Sequence, residues 1–205
     1  MQKNFGEFMS RFQKRGSRFG INDNESRSNR HAKGGRPLLK NENELEDYLS
    51  SKPEPFLLIL DGVQDPHNLG ACIRTANGAG VDAVIIPKDN AAPITDTVQS
   101  ISCGGSAATP IFRVVNIARI LDKLKSMGIW IAGTSDKATQ GLYESELEGP
   151  IALVMGSEGK GMRRLTEEKC DFLLTIPMEG VVPCLNVSVA TAVCLYEIKR
   201  QRDHN

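Results

Sequence analysis

Six short apolar runs punctuate the chain, at 56–60 (Phe-Leu-Leu-Ile-Leu), 83–86, 111–115, 129–132, 151–155 (Ile-Ala-Leu-Val-Met) and 172–176. Each is too short for a buried helix, and none alternates in and out as a strand with one wet face does. Such runs suit strands covered on both sides, the condition of a parallel sheet. Helical patterns fill the gaps. Asp65 and Pro66 open one that runs through Ala76, with the aspartate as cap and the proline in the first turn. A second spans 94–103. A third, 116–127, carries Ile117, Ile120, Leu121 and Leu124 at helical spacing and stops at Gly128. The last, 186–202, ends in Lys199, Arg200 and Arg202, which favour a helix C-terminus. Strands alternating with helices define an α/β fold with a mainly parallel sheet flanked by helices.

The formal charge of the 205 residues is +0, but it is unevenly placed. Residues 1–40 hold ten basic and three acidic side chains, a net +7, which leaves −7 for residues 41–205. The first stretch is rich in Arg, Asn, Ser and Gly and has few apolar residues to bury. It reads as a disordered basic arm suited to RNA phosphates, with Phe5, Phe8, Met9 and Phe12 able to form a short amphipathic helix over 4–15. Residues 41–53 read as a short acidic helix and linker ended by Pro53, and 54–205 as the catalytic-type domain.

Several classes drop out. No apolar run reaches the ~20 residues of a membrane span, and no apolar signal segment opens the chain, so a cytoplasmic protein without a membrane partner is expected. Cys72, Cys103, Cys170, Cys184 and Cys194 form no C-x-x-C pair and read as reduced, mostly buried thiols. His31, His67 and His204 lie far apart, so no metal site is expected.

In a parallel α/β sheet the ligand sits at the carboxyl ends of the strands. The segment after residue 60 lacks the G-x-G-x-x-G of a dinucleotide site. The segment after 155, Gly156-Ser-Glu158-Gly159-Lys-Gly161, lacks the Lys-Ser/Thr of a phosphate-binding P-loop, since position 162 is Met. It remains either a cradle for a polar ligand or a plain glycine turn. Asn186 and Ser188 open the last helix, as caps or as site residues. His67 is either a base or a solvated residue of the helix entrance.

These segments resemble a known family. Asn68-Leu-Gly70-Ala-Cys-Ile-Arg74, then Val154-Met-Gly156-Ser-Glu158-Gly159, then Ile176-Pro-Met with Leu185-Asn186-Val-Ser188, are similar to the three motifs of the SpoU (TrmH) branch of the SPOUT RNA methyltransferases, in order, over residues 54–202. The resemblance implies a C-terminal trefoil knot, a homodimer whose site uses both subunits, and S-adenosylmethionine as cofactor. It also implies methylation of a guanosine ribose 2′-OH. The stretches 60–68 and 130–134 are most similar to members acting on 23S rRNA. A tRNA guanosine is the nearest variant, and a non-catalytic RNA-binding assembly factor on the same scaffold is the other alternative. The implied catalytic set is Asn68, Arg74, Glu158, Asn186 and Ser188. The cofactor is implied to meet Gly133, Thr134, Gly156, Ile176 and Leu185. Arginine stays protonated, so the role expected of Arg74 is a two-pronged grip on a phosphate beside the reacting hydroxyl. Cys184 stands where relatives commonly carry Ser. Relatives of this kind usually have a folded N-terminal RNA-binding domain. The residues before 54 are too few and too polar for one, so the basic arm, the dimer surface or a partner is expected to take that task.

Overall fold

The computed structural model describes residues 35–203. The expected helix at 4–15, most of the basic arm, and His31 and His204 lie outside the described residues. Strands β1 (Leu39–Asn41), β2 (Phe56–Asp61), β3 (Ala83–Pro87), β4 (Ile111–Val114), β5 (Trp130–Thr134), β6 (Gln140–Gly141), β7 (Ile151–Gly156) and β8 (Phe172–Thr175) form one sheet. Their order is β1-β4-β3-β2-β7-β5-β8-β6, and every pairing is parallel. The helices are α1 (Leu45–Ser50), α2 (Pro66–Ala79), α3 (Asp96–Ile101), α4 (Gly105–Ala108), α5 (Ile117–Ser126), α6 (Arg164–Glu168) and α7 (Val187–Arg202).

The apolar runs are the sheet interior, for the reason the sequence suggests. In β2, Phe56, Leu58 and Leu60 enter one apolar cluster with α2 and α7, while Leu57 and Ile59 enter another with α1 and α5. A strand with both faces covered has no polar position to spare. The helix entrances are also as read. Asp65 Oδ1 accepts from the His67 amide at 2.8 Å, and Asn116 caps α5 through the Arg119 amide. Helix α2 runs to Ala79, past Ala76, and ends at Gly80 with φ +80.

Residues 39–50 pack with the sheet. Leu39 to Asn41 pair with Ile111 to Arg113 at the edge, and Leu45 and Leu49 are each 1% exposed in the second cluster. Burying two leucines contributes about 1.5–3 kcal/mol each. The acidic segment expected as a helix and linker is therefore a 3₁₀ turn (Glu42–Glu44) followed by α1, both held to the body. Glu42 accepts from the Val115 amide and pairs with Arg119, and these bonds hold its carboxyl below the usual carboxylate range against the opposing effect of burial.

Candidate active site

Because all strands run parallel, β2, β5, β7 and β8 deliver their carboxyl ends to one edge of the sheet. The loop after β7 is built on a close approach. A Cβ on Gly156 would lie 2.2 Å from Gly161 C and from Met162 N, so only glycine lets the chain fold back here. Ser157 and Gly161 then exchange backbone hydrogen bonds of 3.0 and 2.9 Å. Gly159 and Gly161 adopt φ +73 and +69, as a tight reversal requires. The turn presents Glu158.

Glu158 is where the three motifs meet. Its Oε1 accepts from Asn68 Nδ2 at 2.8 Å and from Asn186 Nδ2 at 2.6 Å. Asn186 Nδ2 also donates to Asn68 Oδ1 at 3.1 Å. Asn186 Oδ1 accepts from the Ser188 amide at 2.9 Å and from Ser188 Oγ at 2.6 Å. The oxygen is fixed on that side because an amide N–H needs an acceptor, which turns the NH₂ group toward the carboxylate. Asn186 thus caps α7 with one end of its amide and joins the cluster with the other. Asn68, 8% exposed, sits in the first turns of α2 beneath it.

Beside this cluster opens a cavity of about 570 Å³. Thr134, Gly156, Glu158, Ile176, Leu185 and Asn186 all line it, as do Met155, Leu174 and Met178. Gly133 does not line it. Its hydrogen faces Cys170, Met162 and Leu173, where a Cβ would approach within 2.6–2.9 Å, so the glycine is required by packing. Asn68 and Ser188 stand outside the lining and reach it through Glu158 and Asn186. Arg74 is exposed on α2, outside the lining, with no hydrogen-bond or ion-pair partner among the described residues. His67 is exposed, and its backbone belongs to the helix cap.

Some lining residues have no signal in the motifs. Lys137, Lys160 and Glu167 bring charge to the cavity from loops and from α6, a five-residue helix without periodicity. Among the described residues no cluster of His, Cys, Asp and Glu has metal-ligand geometry. The cysteines are all free. Cys72 and Cys194 are buried and Cys170 is half-buried, but Cys103 and Cys184 are exposed, so the thiols are less uniformly buried than expected. Burial pushes Cys72 up to about 11 and Cys170 and Cys194 up to about 12. Cys184 lines the cavity.

A parallel α/β sheet with a ligand-sized cavity at its carboxyl edge, closed by an Asn–Glu–Asn cluster drawn from three distant segments, defines a small-molecule-binding α/β domain. The chain belongs to the SpoU rRNA Methylase family, whose model matches residues 55–196. It is 56% identical over 162 residues to the 23S rRNA (guanosine-2′-O-)-methyltransferase RlmB of Vibrio vulnificus, covering 79% of this chain and 66% of that relative. The chain thus spans just under two thirds of that relative's length. Among solved structures it resembles the SpoU methyltransferase AviRb of Streptomyces viridochromogenes in complex with the cofactor AdoMet, with TM-score 0.69 and 26% identity over 76% of this chain and 60% of that one. It also resembles the A. aeolicus TrmH/SpoU tRNA modifying enzyme, with TM-score 0.67 and 29% identity over 78% of this chain and 85% of that one. The α/β fold with an all-parallel sheet is the one these structures share. Among the described residues no helix is long and apolar enough to cross a membrane.

Proposed function

We propose that the protein is a cytoplasmic, S-adenosylmethionine-dependent methyltransferase acting on the ribose 2′-OH of a guanosine in 23S rRNA. The observation that carries this reading is the convergence of Asn68 and Asn186 on one carboxylate oxygen of Glu158 at the wall of the cavity. The identity to RlmB proteins supports 23S rRNA as the substrate.

The cavity's donor set fits the cofactor. Its volume is in the range of small-molecule sites. Ile176, Leu185 and Met178 offer an apolar slot for a planar base, while Asp136, Glu158 and Glu167 outnumber Lys137 and Lys160 in the lining, a small negative excess that suits a ligand of net positive charge. Thr134, Gly156, Ile176 and Leu185 would hold it. When bound, S-adenosylmethionine supplies an electrophilic methyl group. Glu158 keeps the loop at Gly156 in register with Asn186, so the cavity wall is set before the RNA arrives. Among the described residues Arg74 has no partner for its guanidinium, as a phosphate-gripping residue needs. Ser188, held by Asn186 Oδ1, keeps the entrance of α7 from fraying.

A homodimer completes this reading. Helix α7 buries Val187, Thr191, Cys194, Leu195 and Ile198, yet its outer side leaves Val189 49% and Tyr196 51% exposed. Tyr196 crosses toward α2, where its hydroxyl lies 3.2 Å from the position of a Cβ on Gly78. This uncovered apolar strip beside α2, and a cavity that Arg74 does not reach, are what a site finished by a second copy leaves in one subunit. The C-terminal trefoil knot belongs to the same reading. It is supported by likeness to SpoU structures. The basic residues of 1–40 then supply phosphate contacts.

Methyl transfer from labelled S-adenosylmethionine to 23S rRNA and tRNA, with mapping of the product, tests the proposal. The expected product is 2′-O-methylguanosine in 23S rRNA. Label only in tRNA would move the substrate, and label in neither would remove the activity. Arg74→Ala is expected to abolish transfer while leaving cofactor binding near the parent value. Deleting residues 1–34, which leaves β1 paired with β4, is expected to weaken RNA binding, more so at low salt.

A further inference from the structure

We propose that Asp61 is a positioning residue that fastens both ends of the cofactor loop. The inference rests on the reading of the cavity as an S-adenosylmethionine site.

Asp61 is the last residue of β2 and the one polar side chain of an otherwise apolar strand. It is 1% exposed. The loop of 157–163 leaves β7 at Gly156, which is the register partner of Asp61 on the neighbouring strand. It returns at Arg163, whose backbone amide donates to Asp61 Oδ2 at 3.0 Å. The loop thus begins and ends at the same residue. The Arg163 guanidinium adds a second hold, with Nε 3.3 Å from Asp61 Oδ1. That contact is an ion pair rather than a hydrogen bond, since Oδ1 has no donor of its own among the described residues.

A buried carboxylate is costly unless it is paired, and removing its partners is more costly still. Among the described residues both contacts of the Asp61 carboxylate come from Arg163, 102 residues along the chain. The bond therefore acts on the course of the loop and not on β2, which is held by β3 and β7. Between the two anchors stand the Ser157–Gly161 bridge and Glu158. Releasing the far anchor frees Gly161 and Met162 from the face of Gly156, and with them the turn that carries Glu158 toward Asn68 and Asn186. Met162 lines the cavity and packs into the second apolar cluster, so the same release opens the cavity floor. Arg163 also precedes α6, and Asp61 thereby fixes where that helix starts.

The test uses the full chain with Asp61→Ala, Asp61→Asn and Arg163→Pro. Asparagine keeps an acceptor for the Arg163 amide. Proline removes both holds, the amide donor and the guanidinium, at a residue whose φ of −65 it can adopt. Calorimetry with S-adenosylmethionine is expected to show about tenfold or greater weakening for Asp61→Ala and Arg163→Pro, the scale of a lost hydrogen bond to a charged group, and no more than about threefold for Asp61→Asn. Hydrogen exchange without cofactor is expected to quicken over residues 157–163 in the first two variants and to stay at the parent rate in β2 and β3. Exchange that quickens equally throughout the sheet, or cofactor affinity unchanged in Arg163→Pro, overturns the assignment. If Asp61→Ala does not fold, the Asn and Pro variants decide alone. A parent protein that binds no S-adenosylmethionine refutes the cofactor reading instead, and the exchange measurement still judges the clamp.

Discussion

Asn186 Nδ2 donates to Glu158 Oε1 at 2.6 Å, tying the entrance of the last helix to a loop 28 residues earlier. The same oxygen takes Asn68 from 90 residues earlier. One carboxylate therefore holds three chain segments at the cavity wall. Glu158 is itself exposed, so little folding energy depends on it.

Glu158→Ala is therefore expected to separate activity from stability. The unfolding midpoint should correspond to a change of about 0.5 kcal/mol or less, as at most surface positions. Methyl transfer should fall by about a hundredfold or more, since small misplacement of site groups has that cost. Single-turnover transfer measured beside urea denaturation checks both. A variant with parental turnover would show that the cluster is only a cap on α7.

The strands were readable because β2, β3 and β7 are covered on both faces and carry almost nothing polar. Strand β1 was not, since Leu-Lys-Asn is too short to hold a pattern and takes its place from the neighbouring β4. Helix α1 lies within the expected acidic helix of 41–53, but its docking on the sheet was not readable, because only two leucines, Leu45 and Leu49, anchor it. In the site, Gly156, Glu158 and Asn186 came from motif likeness. Their contacts could not have come from spacing, because Asn68 and Glu158 meet only through tertiary packing. Asp61 was hidden at the end of an apolar run, where it reads as the first residue of a loop.

Gly156→Ala puts a methyl group where the backbone of Gly161 and Met162 already stands. Backbone cannot swing aside as a side chain can, so the loop must move as a whole. The expected loss is about 1–3 kcal/mol of stability, as for overpacked interiors, together with S-adenosylmethionine binding at least about tenfold weaker. Gly159→Ala is the control. Its φ of +73 costs about 1–2 kcal/mol, but nothing lies within 4 Å of the new methyl, so the cavity should keep its affinity. Calorimetry that ranks the two variants the other way would contradict the role of Gly156.

The thiols should divide by exposure. At pH 8 iodoacetamide is expected to label Cys103 and Cys184, with Cys72, Cys170 and Cys194 unmodified in the folded protein. S-adenosylmethionine should protect Cys184 alone, because it lines the cavity. The raised thiols also give stability a sign at high pH. The folded state keeps its protons up to about 11 to 12, whereas unfolded cysteines release theirs from about 9. Above that pH the unfolded chain binds fewer protons, and stability falls as pH rises. Urea midpoints from pH 8 to 10.5 should decline, and replacing Cys170 and Cys194 with Ala should flatten the decline.

At the other end of α7 the helix is fastened to the start of the sheet. The Arg202 guanidinium donates to Glu54 O at 2.8 Å and to Gly149 O, and lies 5.3 Å from the centre of the Phe56 ring. Gln201 takes the Leu147 amide at 2.8 Å and gives a bond to Ser145 O at 3.0 Å. These bonds hold the segments that lead into β2 and β7, far along the helix from Asn186. Arg202→Ala should then lower stability by about 1–3 kcal/mol, the scale of charge-assisted hydrogen bonds discounted for partial exposure. Arg202→Lys should recover less than half of it, since an ammonium cannot reach two carbonyls from one plane. Urea denaturation reads the loss as a shift in midpoint at constant slope. Cofactor affinity per folded molecule should not change, because Asn186 and Glu158 hold the other end of the helix independently. An equal loss of affinity would mean that α7 transmits strain along its whole length to the cavity.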